Sequence, residues 1–149
     1  MSRGAIVSKE RAKGTAFETA VVRCLRSAGY NAHRNSLHGA DDIGDIGGVS
    51  LNGHDVAIEC KNERDYHISE WLREAADEMH NAGADAKVVV FHQRGRGFDT
   101  LSNVLQQPVL MTLDDLLTIA EGTHSDIIAI LDALEEKIAR VREDYEEDC

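Results

Sequence analysis

Apolar side chains recur at two spacings along this chain, and each spacing predicts a different secondary structure. Repeats of three or four residues predict helices at 12–28 and 68–82, each followed by a glycine where helices commonly end. Short runs between turn-forming residues predict strands. These runs lie at 30–34, 45–51, 54–60, 87–92 and 109–111. Asn52-Gly53, between the second and third strands, is the dipeptide preferred in type I′ hairpin turns.

This order of elements predicts an α/β fold in which helices flank a mixed central β-sheet. The two strands of the hairpin must be antiparallel. The strand after helix 68–82 can return parallel to the strand at 54–60 through a right-handed crossover. We expect residues 1–111 to form this core. Residues 112–149 would form a helical extension, which begins with a capping-box-like sequence at Thr112.

A long C-terminal helix is predicted from Thr123 or Ser125 to about Glu147. Its apolar residues alternate between spacings of four and three, which is the heptad pattern of a coiled-coil seam. They are Ile127, Leu131, Leu134, Ile138, Val141 and Tyr145. Because the seam is shorter than three heptads, two interpretations stay open. The helix packs on its own domain, or it pairs with its twin in a dimer.

Composition narrows the class of protein. The 149 residues, 42% of them hydrophobic, suffice for one domain with a core. The apolar runs are too short for a transmembrane helix, and the first ten residues are too polar for a secretory signal. Three widely spaced cysteines indicate neither a disulfide framework nor a zinc site. We therefore expect a reducing, cytoplasmic setting.

The net charge of −11 argues by itself against a nucleic-acid partner. The charges are nevertheless segregated along the chain. Residues 1–34 carry seven Lys or Arg and two acids, whereas residues 114–149 carry twelve acids and three bases. One face could therefore meet phosphate while the acidic segment stays solvated. The alternative is an ordinary acidic protein with an uneven surface.

Charged residues interrupt the two strands of the predicted hairpin, where buried apolar residues would be typical. Glu59 and Lys61 stand two apart and so point to one face of their strand, and the hairpin brings Asp45 beside them. Two carboxylates can hold Mg²⁺, which keeps several waters, and the backbone carbonyl of Cys60 is a further candidate ligand. Lys61 could orient a water or neutralise a phosphate. Glu18 could join them if helix 12–28 packs on the sheet.

These residues fall into a longer pattern. It consists of Lys13-Gly14 with Glu18, Gly29-Tyr30 with Arg34, Gly44-Asp45-Ile46, and Ile58-Glu59-Cys60-Lys61. The pattern resembles the PD-(D/E)XK nuclease superfamily and, within it, archaeal-type Holliday junction resolvases. The resemblance covers about residues 11–93. One departure is that Gly44 stands where the family commonly has proline before the aspartate.

The resemblance implies a restriction-endonuclease-like core, Mg²⁺-dependent DNA cleavage with Mn²⁺ as an alternative metal, and a homodimer. It implies a metal cluster of Glu18, Asp45 and Glu59, with Lys61 assisting the attacking water. Clustered basic residues are our candidates for DNA binding. They are Arg11, Lys13, Arg34, Arg94 and Arg96.

The function predicted from these features is metal-dependent endodeoxyribonuclease activity on branched DNA, of the Holliday junction resolvase type. Two alternatives stay open. The first is a restriction-type or repair-type nuclease that acts on linear DNA. The second is a non-catalytic, nuclease-like module that binds DNA.

Overall fold

A computed structural model describes residues 3–36, 41–121, 131–140 and 142 of the chain. Its elements follow one another in this order: α1 (Arg3–Ser27), β1 (His33–Arg34), β2 (Ile46–Gly47), β3 (Ser50–Leu51), β4 (His54–Lys61), α2 (Ile68–Ala82), β5 (Ala86–Phe91), α3 (Leu101–Leu105), β6 (Val109–Leu110) and α4 (Leu113–Ala120). Residues 131–140 are helical as well.

The strands form one mixed sheet in the order β1-β2-β4-β5-β6, and β3 pairs with β4 as a continuation of the β2 side. Strands β4 and β5 are parallel and are connected through α2, as the sequence predicted. The other pairings are antiparallel. The α/β fold with a mixed sheet flanked by helices is therefore confirmed.

The hairpin turn at Asn52-Gly53 has the predicted geometry, since both residues have positive φ, 52° and 83°. The single strand predicted at 45–51 is instead divided into β2 and β3. Gly48 lies at the break with φ of 75°, and a Cβ on it would lie 2.2 Å from the carbonyl oxygen of Asn31. The close approach of these two backbone segments interrupts the strand.

The helices agree with the prediction where an apolar stripe defines them. Helix α2 has the predicted bounds, and Gly83 ends it in the left-handed conformation. Thr112 and Asp115 form the capping box of α4. Helix α1 begins nine residues earlier than predicted, because residues 8–13 are exposed and carry no apolar stripe. The short helix α3 was not predicted.

Two apolar clusters lie on opposite faces of the sheet. Helix α1 packs Phe17 and Val21 against one face, together with Val88 of β5. Helix α2 packs Trp71 and Ala75 against the other face, on Val89. Because successive strand residues alternate between faces, this arrangement determines which helix each β4 side chain meets. Cys60 belongs to the α1 cluster, so Glu59 and Lys61 project to the side of α2.

The C-terminal extension is described only in part. On residues 131–140, Leu131, Leu134 and Ile138 are each about half exposed. The predicted start of the helix and the other seam positions, Ile127, Val141 and Tyr145, lie outside the described residues. The boundary at residue 112 and the role of this helix therefore stay predictions.

The described residues also bear on the expectations about membrane-spanning helices and cysteines. No helix among the described residues combines the length and the apolarity needed to cross a membrane. Cys24 and Cys60 are free thiols buried in the core.

Candidate active site

The hairpin places Asp45 beside the charged end of β4. Ile46 pairs with Ile58 across β2 and β4, so the residue before Ile46 lies opposite the residue after Ile58. The backbone N–H of Cys60 donates a hydrogen bond of 2.9 Å to Oδ2 of Asp45. This bond anchors the aspartate at the position where β4 carries its glutamate and lysine.

Glu59 and Lys61 form an ion pair on the α2 side of β4. The Lys61 Nζ atom lies 2.8 Å from Oε1 of Glu59 and 2.7 Å from Oε2 of Glu74, a residue of α2. The Glu59 and Lys61 side chains are only 11% and 13% exposed, whereas that of Glu74 is 39% exposed. The ammonium therefore lies between a buried and a partly exposed carboxylate.

Burial disfavours the ionised form of the carboxyl groups at this site. Burial, together with repulsion from Glu59, raises the pKa of Asp45 to about 7, although the Cys60 N–H opposes the shift. Burial also raises the pKa of Glu59 to about 7; the Lys61 ammonium opposes this change, and Glu78 adds to it. A bound cation would stabilise the charged forms of these two carboxyl groups, of which Glu59 is buried and Asp45 is partly buried.

Lys61 is held in its charged form. Burial alone would lower the pKa of its amine, but the carboxylates of Glu59 and Glu74 outweigh that effect and raise it. Its Nζ is therefore a hydrogen-bond donor in this arrangement.

Glu18 reaches the same region from α1. Burial of Phe17 in the α1 cluster fixes the rotation of this helix and so the direction of its neighbour Glu18. Oε2 of Glu18 accepts hydrogen bonds from Nε and Nη2 of Arg34, at 2.8 and 2.6 Å. The negative charge of Glu18 contributes to the raised pKa of Asp45. The structure thus pairs Arg34, a candidate DNA contact, with a candidate metal ligand.

One open cavity of about 450 Å³ brings most of the predicted site together. Its lining includes Glu18, Asp45, Glu59, Cys60, Lys61 and Arg11. The other basic candidates do not line this cavity. Lys13 is exposed, and its backbone oxygen accepts a hydrogen bond from Asn62. Arg94 and Arg96 line a separate cavity beyond β5, where Arg94 Nη2 is 3.6 Å from Asp65.

The fold and this constellation agree with a comparison against protein families. The family model Mrr_cat, described as a restriction endonuclease, matches residues 10–98. The chain belongs to this restriction endonuclease family. It is therefore a member of the PD-(D/E)XK superfamily and carries a nuclease-type domain. No curated protein matches the chain.

The matched segment of this restriction endonuclease domain runs from early α1 to beyond β5. It contains Glu18, Asp45, Glu59 and Lys61, and also the loop with Arg94 and Arg96. The C-terminal helical extension lies outside it. The family match thus covers the part of the chain in which the cavity is built.

The structure adds two residues of α2 that sequence reasoning missed, Glu74 and Glu78. They are one turn apart, and the buried residues of α2 are Trp71, Ala75 and Glu78. A glutamate that continues an apolar stripe at helical spacing is the signal that would have found Glu78. Glu74 carries no such signal, because its contact with Lys61 depends on how α2 packs on β4.

The donor atoms of the cavity are suited to a hard divalent cation. Asp45 and Glu59 offer carboxylate oxygens, and the Cys60 carbonyl is a further oxygen donor, which are the ligand types that Mg²⁺ prefers. Across the described ranges, no group of three or more His, Cys, Asp or Glu residues is arranged to hold a metal ion. Mg²⁺ needs only one or two carboxylates because it retains water ligands. The residues therefore fit a hydrated Mg²⁺ ion.

Proposed function

We propose that this restriction endonuclease-like domain is a Mg²⁺-dependent endodeoxyribonuclease that hydrolyses phosphodiester bonds in branched DNA, with four-way junctions as its substrate and a homodimer as its active form. The observation that carries the proposal is the shared cavity of Asp45, Glu59 and Lys61, in which the buried Glu59 carboxylate pairs with the Lys61 ammonium beside the partly buried Asp45. Family membership supports nuclease chemistry. The preference for junctions rests on the resemblance of the sequence motifs.

The residues of the cavity have different roles in the proposed hydrolysis. Asp45 and Glu59 would hold the ion, with the Cys60 carbonyl and Glu18 as further ligands. When bound, the ion supplies activation of a water and stabilisation of negative charge on the phosphate. The Lys61 ammonium orients the attacking water or donates to a phosphate oxygen, where charge develops in the transition state. Mn²⁺ has the same charge and accepts oxygen ligands, so we expect it to substitute.

Basic residues around the cavity would hold the DNA backbone. Arg11 lines the cavity itself, and Lys13 is exposed two residues further along α1. Arg94 and Arg96 extend the basic surface past β5. Arg34 adds a further positive charge, and its guanidinium also donates a hydrogen bond to Glu18. Contacts of this kind position the DNA without reading its sequence.

Exposed apolar side chains support the homodimer. Leu131, Leu134 and Ile138 occupy three consecutive positions of the heptad seam and are about half exposed. Pairing of this seam with a second copy would remove them from water. Two active sites in one dimer would also match the two strands that must be cut in a four-way junction.

The decisive experiment compares DNA forms and variants. Purified protein is incubated with Mg²⁺ and end-labelled four-way junction, linear duplex or single-stranded DNA, beside the variants Glu59→Ala and Lys61→Ala. Asp55→Asn is the matched control, because it removes an exposed acid from the other end of β4. We expect junction cleavage by the wild type and by Asp55→Asn, with a loss of at least about 100-fold in the two site variants. Cleavage that survives both site substitutions would refute the proposed site.

The same experiment addresses a second candidate function. The matched family is described as a restriction endonuclease, which favours cleavage of linear duplex DNA. Cleavage of linear duplex in preference to the junction would establish this function instead. Absence of any cut, together with DNA binding and no heat of Mg²⁺ or Mn²⁺ binding in calorimetry, would indicate a non-catalytic module.

A further inference from the structure

Glu78 of α2 is a buried acid, and one of its carboxylate oxygens accepts no hydrogen bond from the described residues. The residue is only 8% exposed, and its Oε2 has no hydrogen-bond partner among the described residues. Burying a carboxylate oxygen without a donor is unfavourable. An unpartnered oxygen of this kind indicates either a strained side chain or a ligand that completes its contacts.

Another buried acid shows how this protein satisfies a carboxylate that has a structural role. Asp115 is 2% exposed, and its oxygens accept hydrogen bonds from the backbone and ammonium of Lys87 and from Thr112. Both of its oxygens are therefore in use. Glu78 differs from Asp115 in this respect, although the two side chains are about equally buried.

The Glu78 carboxyl contacts that of Glu59, a candidate ligand of the cation, although Glu78 does not itself line the cavity. The charges of Asp42 and Asp45 act on it as well. Burial and these charges raise the pKa of Glu78 to about 7, although the contact with Glu59 and the Lys61 ammonium oppose the change. Glu78 thus extends the group of Asp45 and Glu59 on the α2 side.

Gly44 lies next to the carboxyl group of Glu78. A Cβ at residue 44 would lie 3.6 Å from Oε2 of Glu78 and 3.1 Å from the carbonyl oxygen of Ile58. Gly44 also has φ of 85°, which proline cannot adopt. The positive φ of residue 44 therefore explains why glycine stands in the place of the common proline, and this glycine lies beside the Glu78 carboxylate.

We propose that Glu78 is an outer carboxylate of the divalent-cation site, a positioning residue whose free Oε2 accepts a hydrogen bond from a water ligand of the ion held by Asp45 and Glu59. The inference rests on the proposed function, since the ion is the same one. Mg²⁺ and Mn²⁺ keep several waters, and each water needs an acceptor. Partners of this outer kind typically contribute 10–100-fold to metal affinity.

The test measures binding of Mn²⁺ alone to the full chain, without DNA, by calorimetry and by the loss of the free-ion electron paramagnetic resonance signal. Glu78→Gln keeps the shape of the side chain and removes its charge. Asp77→Asn is the matched control, because Asp77 is the exposed neighbour on the same helix. We expect Glu78→Gln to weaken Mn²⁺ binding by roughly 10–100-fold and Asp77→Asn by less than about 3-fold, since an exposed charge is screened by solvent.

The outcomes separate this inference from the proposed function. Equal affinities of Glu78→Gln and Asp77→Asn would overturn the role of Glu78, which would then be a buried acid that shares a proton with Glu59. If Asp45→Asn also binds Mn²⁺ as the wild type does, the cation site itself is refuted. Glu78→Asp retains the charge but shortens the side chain, and it replaces Glu78→Gln should that variant not fold. We expect its affinity to lie between those of Glu78→Gln and the wild type, and wild-type affinity would count against the proposal.

Discussion

Lys61 Nζ lies 2.8 Å from Oε1 of Glu59, and both groups are almost completely buried at the end of a strand whose other face packs on α1. The two residues are separated by Cys60, so the alternation of the strand places them on one face. The antiparallel neighbour β2 then adds Asp45 to this pair through the Cys60 N–H. A local feature of one strand and the pairing of its hairpin thus create the centre of the site.

Protons would compete with the proposed divalent cation for this centre, which predicts an unusual dependence of stability on pH. Burial and neighbouring carboxyl groups raise the pKa values of Asp45 and Glu59 to about 7. Between about pH 4 and pH 7 the folded state therefore binds more protons than the unfolded state. The stability contributed by these groups is fully present below about pH 4 and is lost as pH rises through 7.

We therefore expect the metal-free protein to melt at a lower temperature at pH 8 than at pH 6, and Mg²⁺ to raise the melting temperature more at pH 8. Thermal melts in chelator and in Mg²⁺ at both pH values measure this difference. The double variant Asp45→Asn, Glu59→Gln should show no effect of Mg²⁺ and a smaller difference between the two pH values, because Glu78 still has a raised pKa. A wild-type melting temperature that rises from pH 6 to pH 8 in chelator would contradict the prediction.

Two arginines near the cavity should have separable effects. Arg34 donates to Glu18 through Nε and Nη2, whereas Arg11 lines the cavity. We expect Arg11→Ala to weaken DNA binding and to reduce the slope of log affinity against log salt by about 1. Arg34→Ala should mainly lower the cleavage rate, because Glu18 loses the group that orients it. Binding is measured in chelator and cleavage in Mg²⁺. An Arg34→Ala variant with normal cleavage would show that this pair does not serve catalysis.

The buried pair of Lys87 and Asp115 should stabilise the attachment of α4 to β5. Lys87 Nζ lies 2.9 Å from Oδ2 of Asp115, which also belongs to the capping box of α4. Asp115→Asn leaves the Lys87 charge buried without a partner, and we expect it to lower the free energy of unfolding by about 3–5 kcal/mol. Asp114 is the exposed neighbour and supplies the control. We expect Asp114→Asn to change the free energy of unfolding by less than about 1 kcal/mol. Urea unfolding measures both, and equal values would contradict the expectation.

The apolar seam on residues 131–140 should determine the oligomeric state. Leu134 is 50% exposed in its centre, and we expect Leu134→Asp to convert a dimer into a monomer in light scattering. Leu113 on α4 is 70% exposed and provides a matched Leu→Asp control on a different surface. A dimer that persists in Leu134→Asp and dissociates in Leu113→Asp would place the interface on α4. A monomeric wild type would refute the homodimer.

The amino-acid sequence determined the features that depend on neighbouring residues. The bounds of α2, the turn at Asn52-Gly53 and the capping box at Thr112 follow from side-chain spacing and backbone preferences within a few residues. The early start of α1 was missed, because exposed polar residues carry no periodic signal. The association of Asp45, Glu59 and Lys61 was predictable for the same reason as the hairpin, since strand alternation and antiparallel pairing act over short distances.

Tertiary structure alone decided which groups surround that centre. Glu74 and Glu78 meet β4 because Trp71 and Ala75 pack on Val89, which fixes the rotation of α2 over the sheet. Arg34 meets Glu18 across 16 residues of sequence for a comparable reason, the packing of α1. Spacing within one helix shows which side chains share a face. Only the packing of that helix against another element decides what the face contacts.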